Sequence, residues 1–588
     1  MKLTILSQYH PAAALHQPRL WAEMLNDWEH LPEVVPHDFI IHNTSKLNLQ
    51  GMPLAAMDTE KDGTGGLGQW SVAYRDGEVR LCVAPFYGKQ PIEFGDCHVV
   101  FHNYKYDSRE LEANGMPIPA NIHDTMIAAY CLGLSKQAPT EDVKSKSGSN
   151  MVGGLGLKYL ARRHLGMAMT TWEEVKGKPD LVPEYNANDS VATYLLAEKW
   201  LPILPGHYHT IDMPLLRVIM AIEDRGVKIN PAYLAEYAKE LDTKIDGFNE
   251  TIRHLAFHTQ DMQSYVYGTL AVEPWRFTDT GAPSVDIEAL EGVDDPTVKQ
   301  VLAYKELYKD KGTYIEDYIR NRDSDNRIHT ELKQTSTSTG RLSSANPNLQ
   351  NVPDPKKGST MRKLFVAPDG FKLVRLDWKL IEFGWLAVLA KDAELIEAFL
   401  HGDIHSETAK ALGVTRDIGK RINFLIQNGG SAWGMSQLYG LPIDEAKGYF
   451  NAYYKRFPAL KRFHGETVEK AKATKKVIGY FGRERRIDAL FAPDWRVRAA
   501  GEREAMTMPM QNGAAELVKL AMIDLHYKYS APMILQVHDE LLFEVPEEDA
   551  EDCAQWLKEY VPTITPIDGI EFPVEVTVGD SWYECCLK

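Results

Sequence analysis

The chain has 588 residues, and at roughly 150 residues per domain that length allows about four folding units. Hydrophobic residues make up 44%, aromatics 10% and charged residues 25%, a balance that builds cores and excludes a disordered polyelectrolyte. The net charge of −17 excludes a uniformly basic chain but not a local basic patch, and binding depends on patches. In chain order, the opening MKLTILSQYHPAAALHQ has no sustained apolar stretch and no Arg- and Ser-rich transit pattern, so no export signal is read. Residues 52–110 read as short strands, PLAAMDTE, QWSVAY, EVRLCVAP and CHVVFHN. A polar, Gly/Ser-rich loop follows at 136–154, then helical patterns in LGLKYLARRHLG and SVATYLLAEKWL and a linker near Pro202–Gly206. Residues 213–325 are helical in period, notably VIMAIEDRGVKI and YLAEYAKELDTKIDGFNETIRHLA. From 330 onward helices mix with strand candidates at KLFVAP, KLVRLD, MILQV and ELLFEV.

Apolar runs reach about six residues, as in Trp385–Ala390, far below the roughly 18–20 that a membrane span needs. Six cysteines without a CxxC pair speak against structural zinc and a disulfide framework and fit a reducing cytoplasm. From Arg416 to Arg486 there are 15 Lys/Arg against 6 Asp/Glu. That segregation reads either as a phosphate-binding surface on an acidic body or as a solvated helix face.

Asp58 and Glu60 close an apolar strand, and strand residues two apart share a face. Like charges so placed repel unless a cation bridges them, and hard oxygen donors suit Mg²⁺ or Mn²⁺. Asp107 follows another apolar strand in FHNYKYD, and Tyr185 and Asp189 are four apart, one helical face. This series resembles the DEDDy type of 3′–5′ exonuclease, with His102, Asn103 and Asp124-Thr125 also fitting. The resemblance covers about 50–200 and implies an RNase H-like domain. In it Asp58, Glu60, Asp107 and Asp189 ligate two metal ions and Tyr185 orients the attacking water.

The segment Thr339–Pro353, TGRLSSANPNLQNVP, is turn-rich, free of acids and carries one Arg, which suits a nucleic-acid backbone and minor groove. It resembles a motif of family A (Pol I-like) DNA polymerases, whose remaining motifs follow in order. KLVRLDWKLIEFG places Asp377 at a strand end with Glu382 five residues on. MILQVHDELLFEV joins two apolar strands at His538-Asp539-Glu540, a hairpin that puts carboxylates at an exposed turn. Arg416, Lys420 and Phe424 recur every four positions, lining one helical stripe suited to a triphosphate and a base; an amphipathic helix with snorkelling stems is the alternative. The resemblance implies two-metal nucleotidyl transfer at Asp377 and Asp539 with Glu540 accessory. It places an incoming dNTP at Arg416, Lys420, Phe424, His405 and Glu382, and primer–template DNA at Arg341, Asn348, Gln350, Arg503, Gln511 and His538. Glu382 would exclude a ribose 2′-hydroxyl, and Phe424 would discriminate against dideoxynucleotides.

The chain departs from the family pattern at Trp378, Lys379, Leu380 and Gly384, at Asn428-Gly429 where Tyr-Gly is usual, and at Thr507 in place of Asn. No Gly-Lys pair is followed by Ser or Thr at 88–89, 177–178 or 419–420, which excludes a P-loop motor. A single-subunit RNA polymerase and a stand-alone exonuclease are the rival readings. The expected fold is multi-domain, α/β and α+β, with an RNase H-like exonuclease domain (1–205) and a right-hand polymerase domain. The latter divides into thumb (206–330), palm (331–400 and 500–588) and fingers (401–499). The length leaves no room for an N-terminal 5′-nuclease domain, so a phage-type replicative DNA polymerase with proofreading is expected. It would use two Mg²⁺ per active site, Mn²⁺ substituting, and act as a monomer on primer–template DNA and dNTPs in the cytoplasm, a host's if viral, with no membrane partner.

Overall fold

The structure is a computed structural model that describes residues 39–61, 67–76, 80–134, 154–278 and 281–587, apart from 42, 43 and 45. The opening segment and nearly all of the expected loop at 136–154 lie outside the described residues. The first unit is built on a six-stranded sheet. Its strands are β1 (Ile40–Ile41), β2 (Leu54–Lys61), β3 (Leu67–Asp76), β4 (Arg80–Tyr87), β5 (His98–Phe101) and β6 (Asn121–Asp124), in the order β1-β4-β3-β2-β5-β6. β2, β3 and β4 pair antiparallel, whereas β5 runs parallel to β2 and β6 parallel to β5. Around it lie α1 (Tyr104–Ala113), α2 (Thr125–Cys131), α3 (Leu157–Leu165) and α4 (Val182–Trp200). The four expected strands are all present; β6, only four residues and weakly patterned, was not foreseen.

Next come α5 (Met213–Arg225) and α6 (Pro231–Asp246). The long helical period that starts at residue 233 breaks after Asp246. Asn249 there caps α7 (Glu250–Phe257) by accepting from the Ile252 N–H, and α8 (Thr259–Gln263) follows at once. KLFVAP is not a sheet strand: Met361–Leu364 forms a 3₁₀ turn, and Phe365 and Val366 make single bridges to Ile229 and Ser581.

The last unit centres on a four-stranded antiparallel sheet. Its strands are β7 (Phe371–Trp378), β8 (Met533–Val537), β9 (Glu540–Pro546) and β10 (Val574–Gly579), in the order β8-β9-β7-β10. α9 (Ile381–Ala390) follows β7, then α10 (Ile404–Leu412) and α11 (Arg416–Gln427). α10 and α11 pack so closely that a Cβ on Gly419 would lie 2.6 Å from the His405 carbonyl oxygen. α12 (Trp495–Tyr529) is one 35-residue helix, so the expected boundary at 499/500 falls inside a continuous element.

A buried charge network joins these units. Arg483 donates to both Asp212 oxygens, at 2.7 and 2.8 Å, and to Glu516 at 2.6 Å, with Lys519 3.8 Å from Asp212 and His207 bonded to it at 2.8 Å. Burial alone would raise the Asp212 pKa, but Arg483, Lys519 and His207 hold it well below the usual carboxylate range. Asn512 on α12 donates to the Thr339 carbonyl at 3.0 Å, and Tyr130 of the first unit donates to Thr337 at 2.7 Å. Gly340, at φ +88°, lies so near that a Cβ would sit 2.9 Å from Asn512. The TGRLSS turn is therefore seated on this network. Removing one partner of a buried pair leaves an uncompensated charge, so Arg483→Met is expected to cost about 3–5 kcal/mol, read as a clear drop in the thermal unfolding midpoint.

Candidate active sites

The first acidic site lies where β2 meets α4. Asp58 and Glu60 point to one face of β2, and Asp189 comes from α4; their carboxylate oxygens lie within 4.8 Å of one another. Asn186, one residue past Tyr185, donates to Asp58 Oδ2 at 2.7 Å. Burial, followed by repulsion from Asp189, Asp107 and Glu60, raises the Asp58 pKa well above its ordinary value. Burial and the Asp189 charge lift Glu60 to about 7. Asp189, raised by burial and drawn back by Lys158, stands at about 6. Lys158 on α3 donates to Asp189 and sits 4.0 Å above the Tyr185 ring.

Asp107 is placed beside this cluster but not in it. Its Oδ1 accepts from the Thr59 N–H at 3.0 Å and the Thr59 hydroxyl at 2.7 Å. Asp124 caps α2 and accepts from the Tyr104 N–H, while His102 bonds the Thr125 hydroxyl at 2.9 Å; these residues shape the site's base. The oxygen donors of Asp58, Glu60 and Asp189 fit a hard divalent cation such as Mg²⁺ or Mn²⁺.

The second site is set by strand register. Asp377 at the end of β7 lies opposite Glu540 on β9 and Glu575 on β10, and the Trp378 N–H donates to the Asp539 carbonyl at 3.1 Å. The turn residue His538 takes φ 54°. Burial lifts Asp377 to about 7; the Arg375 guanidinium pulls it down, and Asp539, Glu540 and Glu575 push it up. Burial also raises Asp539. The two carboxylates again offer hard donors that repel one another, as a divalent-ion site requires.

Glu540 corrects the expectation of carboxylates at an exposed turn. Only His538 is exposed there; Glu540 is 5% exposed. It ion-pairs with Arg375 at 2.8 Å and Arg362 at 3.5 Å and accepts from the Trp582 indole. Its oxygens are spent on holding Arg375 and the C-terminal segment.

Glu382, in the first turn of α9, is clamped. Arg341 donates to one carboxylate oxygen and Gln427 on α11 to the other, the latter at 2.6 Å. Arg416, Lys420 and Phe424 form the expected exposed stripe on α11. Arg416 pairs with Asp403 at 2.6 Å, Lys420 lies 5.7 Å from the Phe424 ring centroid, and His405 lies 5.8 Å from the same ring. His405 is buried, bonds Asn423 at 3.1 Å, and has a pKa lowered by burial. Asn428 caps α11, and Gly429 lies against Arg503. Arg503 is exposed on α12, with Gln511 part-buried further along. Asn348 accepts from the Gln350 N–H at 3.0 Å. Gln350 is 8% exposed, its amide donating to Gln536, which in turn donates to the His538 carbonyl at 2.6 Å; it braces the hairpin from below.

The sequence reading missed Lys158, Asn186, Thr59, Gln427, Arg362 and Arg375. Arg375 carried a signal, since a strand residue two before Asp377 shares its face. Gln427 stands three residues beyond Phe424, a helical neighbour position, but nothing in the sequence marks Glu382 as its partner.

A family model described as DNA polymerase family A matches residues 231–584. The chain belongs to DNA polymerase family A. It is 32% identical to DNA polymerase I of Chloroflexus aurantiacus over 559 residues, 86% of this chain and 56% of that one. It is 34% identical to the thermostable DNA polymerase I of Thermus aquaticus over 494 residues, 80% of this chain and 56% of that one. The family A chain thus spans about half the length of these relatives. The fold matches the POL domain of Pol1 from M. smegmatis, solved in complex with DNA primer-template and dNTP. The TM-score is 0.76 at 24% identity, covering 91% of this chain and 97% of that one.

The raised carboxylate pKa values give a pH test. Acids whose folded pKa exceeds the unfolded value add stability that is present at low pH and lost as pH rises through about 6–7. A divalent cation binds the deprotonated acids, so the rise in melting temperature on adding Mn²⁺ should be larger at pH 8 than at pH 5.5. Asp58→Asn with Glu60→Gln should shrink that difference in thermal-shift measurements.

Proposed function

We propose that this protein performs template-directed DNA synthesis from dNTPs with 3′–5′ proofreading. The observation that carries the reading is the placing of Asp539, in the turn before β9, beside Asp377 at the end of β7, within a chain of family A. There the Trp378 N–H donates to the Asp539 carbonyl and the Asp539 charge raises the Asp377 pKa. In this reading the sheet unit and α12 form the palm, residues 401–499 the fingers, 206–330 the thumb, and the first unit the exonuclease. Asp377 and Asp539 would hold divalent ions, Mg²⁺ by preference, as would Asp58, Glu60 and Asp189 with Asp107 alongside. Such ions activate the attacking oxygen and neutralise charge on the phosphates.

The chain's own residues supply position and selection. Arg375 offsets part of the acid charge around Asp377 and is itself fixed by Glu540. Arg416 and Lys420 present cations to a triphosphate beside the Phe424 ring, with His405 behind it. Arg341 and Gln427 hold Glu382 in one place, so its side chain can act as a rigid wall against a 2′-hydroxyl. Arg341, Asn348, Arg503, Gln511 and His538 are the DNA-contact residues of this reading, with Gln350 supporting His538. At the first site Tyr185, bonded to Asp189, would orient water. The named relatives are bacterial, which gives no support to a phage origin, and the proposal is confined to the chemistry.

A labelled primer–template incubated with Mg²⁺, with and without dNTPs, tests the reading. Loss of a metal-holding acid removes several kcal/mol of transition-state stabilisation, so Asp377→Ala should cut extension by about a thousandfold or more. Unchanged extension would overturn the synthetic assignment. Asp58→Ala with Glu60→Ala should abolish 3′ shortening while extension continues. For sugar selection, Glu382→Ala should raise rNTP incorporation relative to dNTP by about 10- to 200-fold, measured by single-nucleotide insertion.

A further inference from the structure

Among the described residues, three groups of side chains place metal-capable atoms within 4.8 Å of one another: Asp58/Glu60/Asp189, Cys131/His207/Asp212 and His254/His258/Asp261. The first belongs to the site already described. The second is filled by protein cations, since Arg483 donates to both Asp212 oxygens and Lys519 stands 3.8 Å away, all of it buried. The third differs from both. Among the described residues no Lys or Arg is paired with Asp261, whose partner is His254 Nε2 at 2.7 Å.

The local fold explains why these three side chains meet. His254 lies in the last turn of α7, and His258 is the corner residue between α7 and α8, with φ −101° and ψ 91°. Asp261 lies in the first turn of α8. The corner is fixed by backbone bonds of 3.0 Å from His258 N–H to the His254 carbonyl and from Met262 N–H to the His258 carbonyl. Beneath it Ile252, Leu255, Met262 and Val266 are buried in a separate apolar cluster, so both helix ends present their polar side chains outward. The two imidazoles stack at 4.0 Å with an interplanar angle of 19°. The His254 and Asp261 side chains are 49% and 56% exposed.

We propose that His254, His258 and Asp261 form a binding site for a divalent transition-metal ion of the zinc class. Two imidazole nitrogens and one carboxylate oxygen make a borderline donor set. Such a set favours Zn²⁺, Cu²⁺ or Ni²⁺ over Mg²⁺, which prefers oxygen ligands alone. Three protein ligands leave at least one coordination position open to water or an external donor. A bound ion would also tie the end of α7 to the start of α8 across the bend at His258. The proposal stands apart from the polymerase reading and uses none of its acids.

The test uses the tag-free 588-residue chain carrying Asp58→Asn and Glu60→Gln to silence the first cluster. Zn²⁺ is titrated calorimetrically in millimolar Mg²⁺, which occupies hard oxygen sites, and Co²⁺ is followed by visible absorption. One equivalent of Zn²⁺ should bind despite the Mg²⁺, and Co²⁺ should give ligand-field bands. Adding His254→Ala or His258→Ala should weaken Zn²⁺ binding at least tenfold, with melting temperatures in EDTA unchanged because both residues are exposed. Zn²⁺ binding of the same affinity and stoichiometry in the His254→Ala/His258→Ala double variant would overturn the proposal, as would no Zn²⁺ binding in the parent.

Discussion

Acid side chains in this protein are held together against their own repulsion by hydrogen-bonded strands. β7 runs between β9 and β10, so Asp377 faces Glu540 on one side and Glu575 on the other, with Asp539 at the adjoining turn. In the first unit β2 and α4 do the same for Asp58, Glu60 and Asp189. Burial first, and the neighbouring acids after it, raise the pKa values of Asp58, Glu60 and Asp377. A register shift by one residue would turn these acids to the opposite face, so the sheets act as templates for charge as much as cores. Arg375 and Lys158 meet part of the demand for positive charge.

Basic residues are used in two different ways. The excess of Lys and Arg between Arg416 and Arg486 overstates the surface it provides. Arg483 is wholly internal, and Arg416, Arg456 and Lys476 are paired with Asp403, Glu394 and Glu484. Lys420 on the exposed stripe and Arg503 on α12 remain outward. One stretch of chain thus combines surface ion pairs, an outward stripe and a buried arginine that consolidates the fold.

Much of this was legible in the sequence because strand period and acid placement coincide. Asp58 with Glu60, and Asp377 at the end of an apolar run, stand where two-residue alternation puts them. The stripe of Arg416, Lys420 and Phe424 follows from helical period in the same way. What escaped was chemistry between segments far apart in the chain. Nothing in the spacing showed that Glu540, read as accessory, would bond Arg375, Arg362 and Trp582, or that Gln350, read as a DNA contact, would donate to Gln536. The break at Gly247–Asn249 was hidden because a helical period continues across the capping residue. Lys158 sits close to the unpatterned stretch at 136–154, and no spacing rule links it to Asp189.

The seat of the TGRLSS turn carries a mechanical implication. Tyr130 belongs to the first unit, Asp212 to the connection, Arg483 to the turn between the paired strands Lys476–Ile478 and Glu484–Arg486, and Glu516 to the longest helix, and all converge beneath one glycine. Four segments far apart in the chain are keyed at a single dry point, as stones are at the crown of an arch. Swinging the first unit away would break the Tyr130–Thr337 bond and open the buried Arg483–Asp212–Glu516 network to water. The Tyr130–Thr337 bond thereby fastens the first unit to the same turn that the buried ions hold in place.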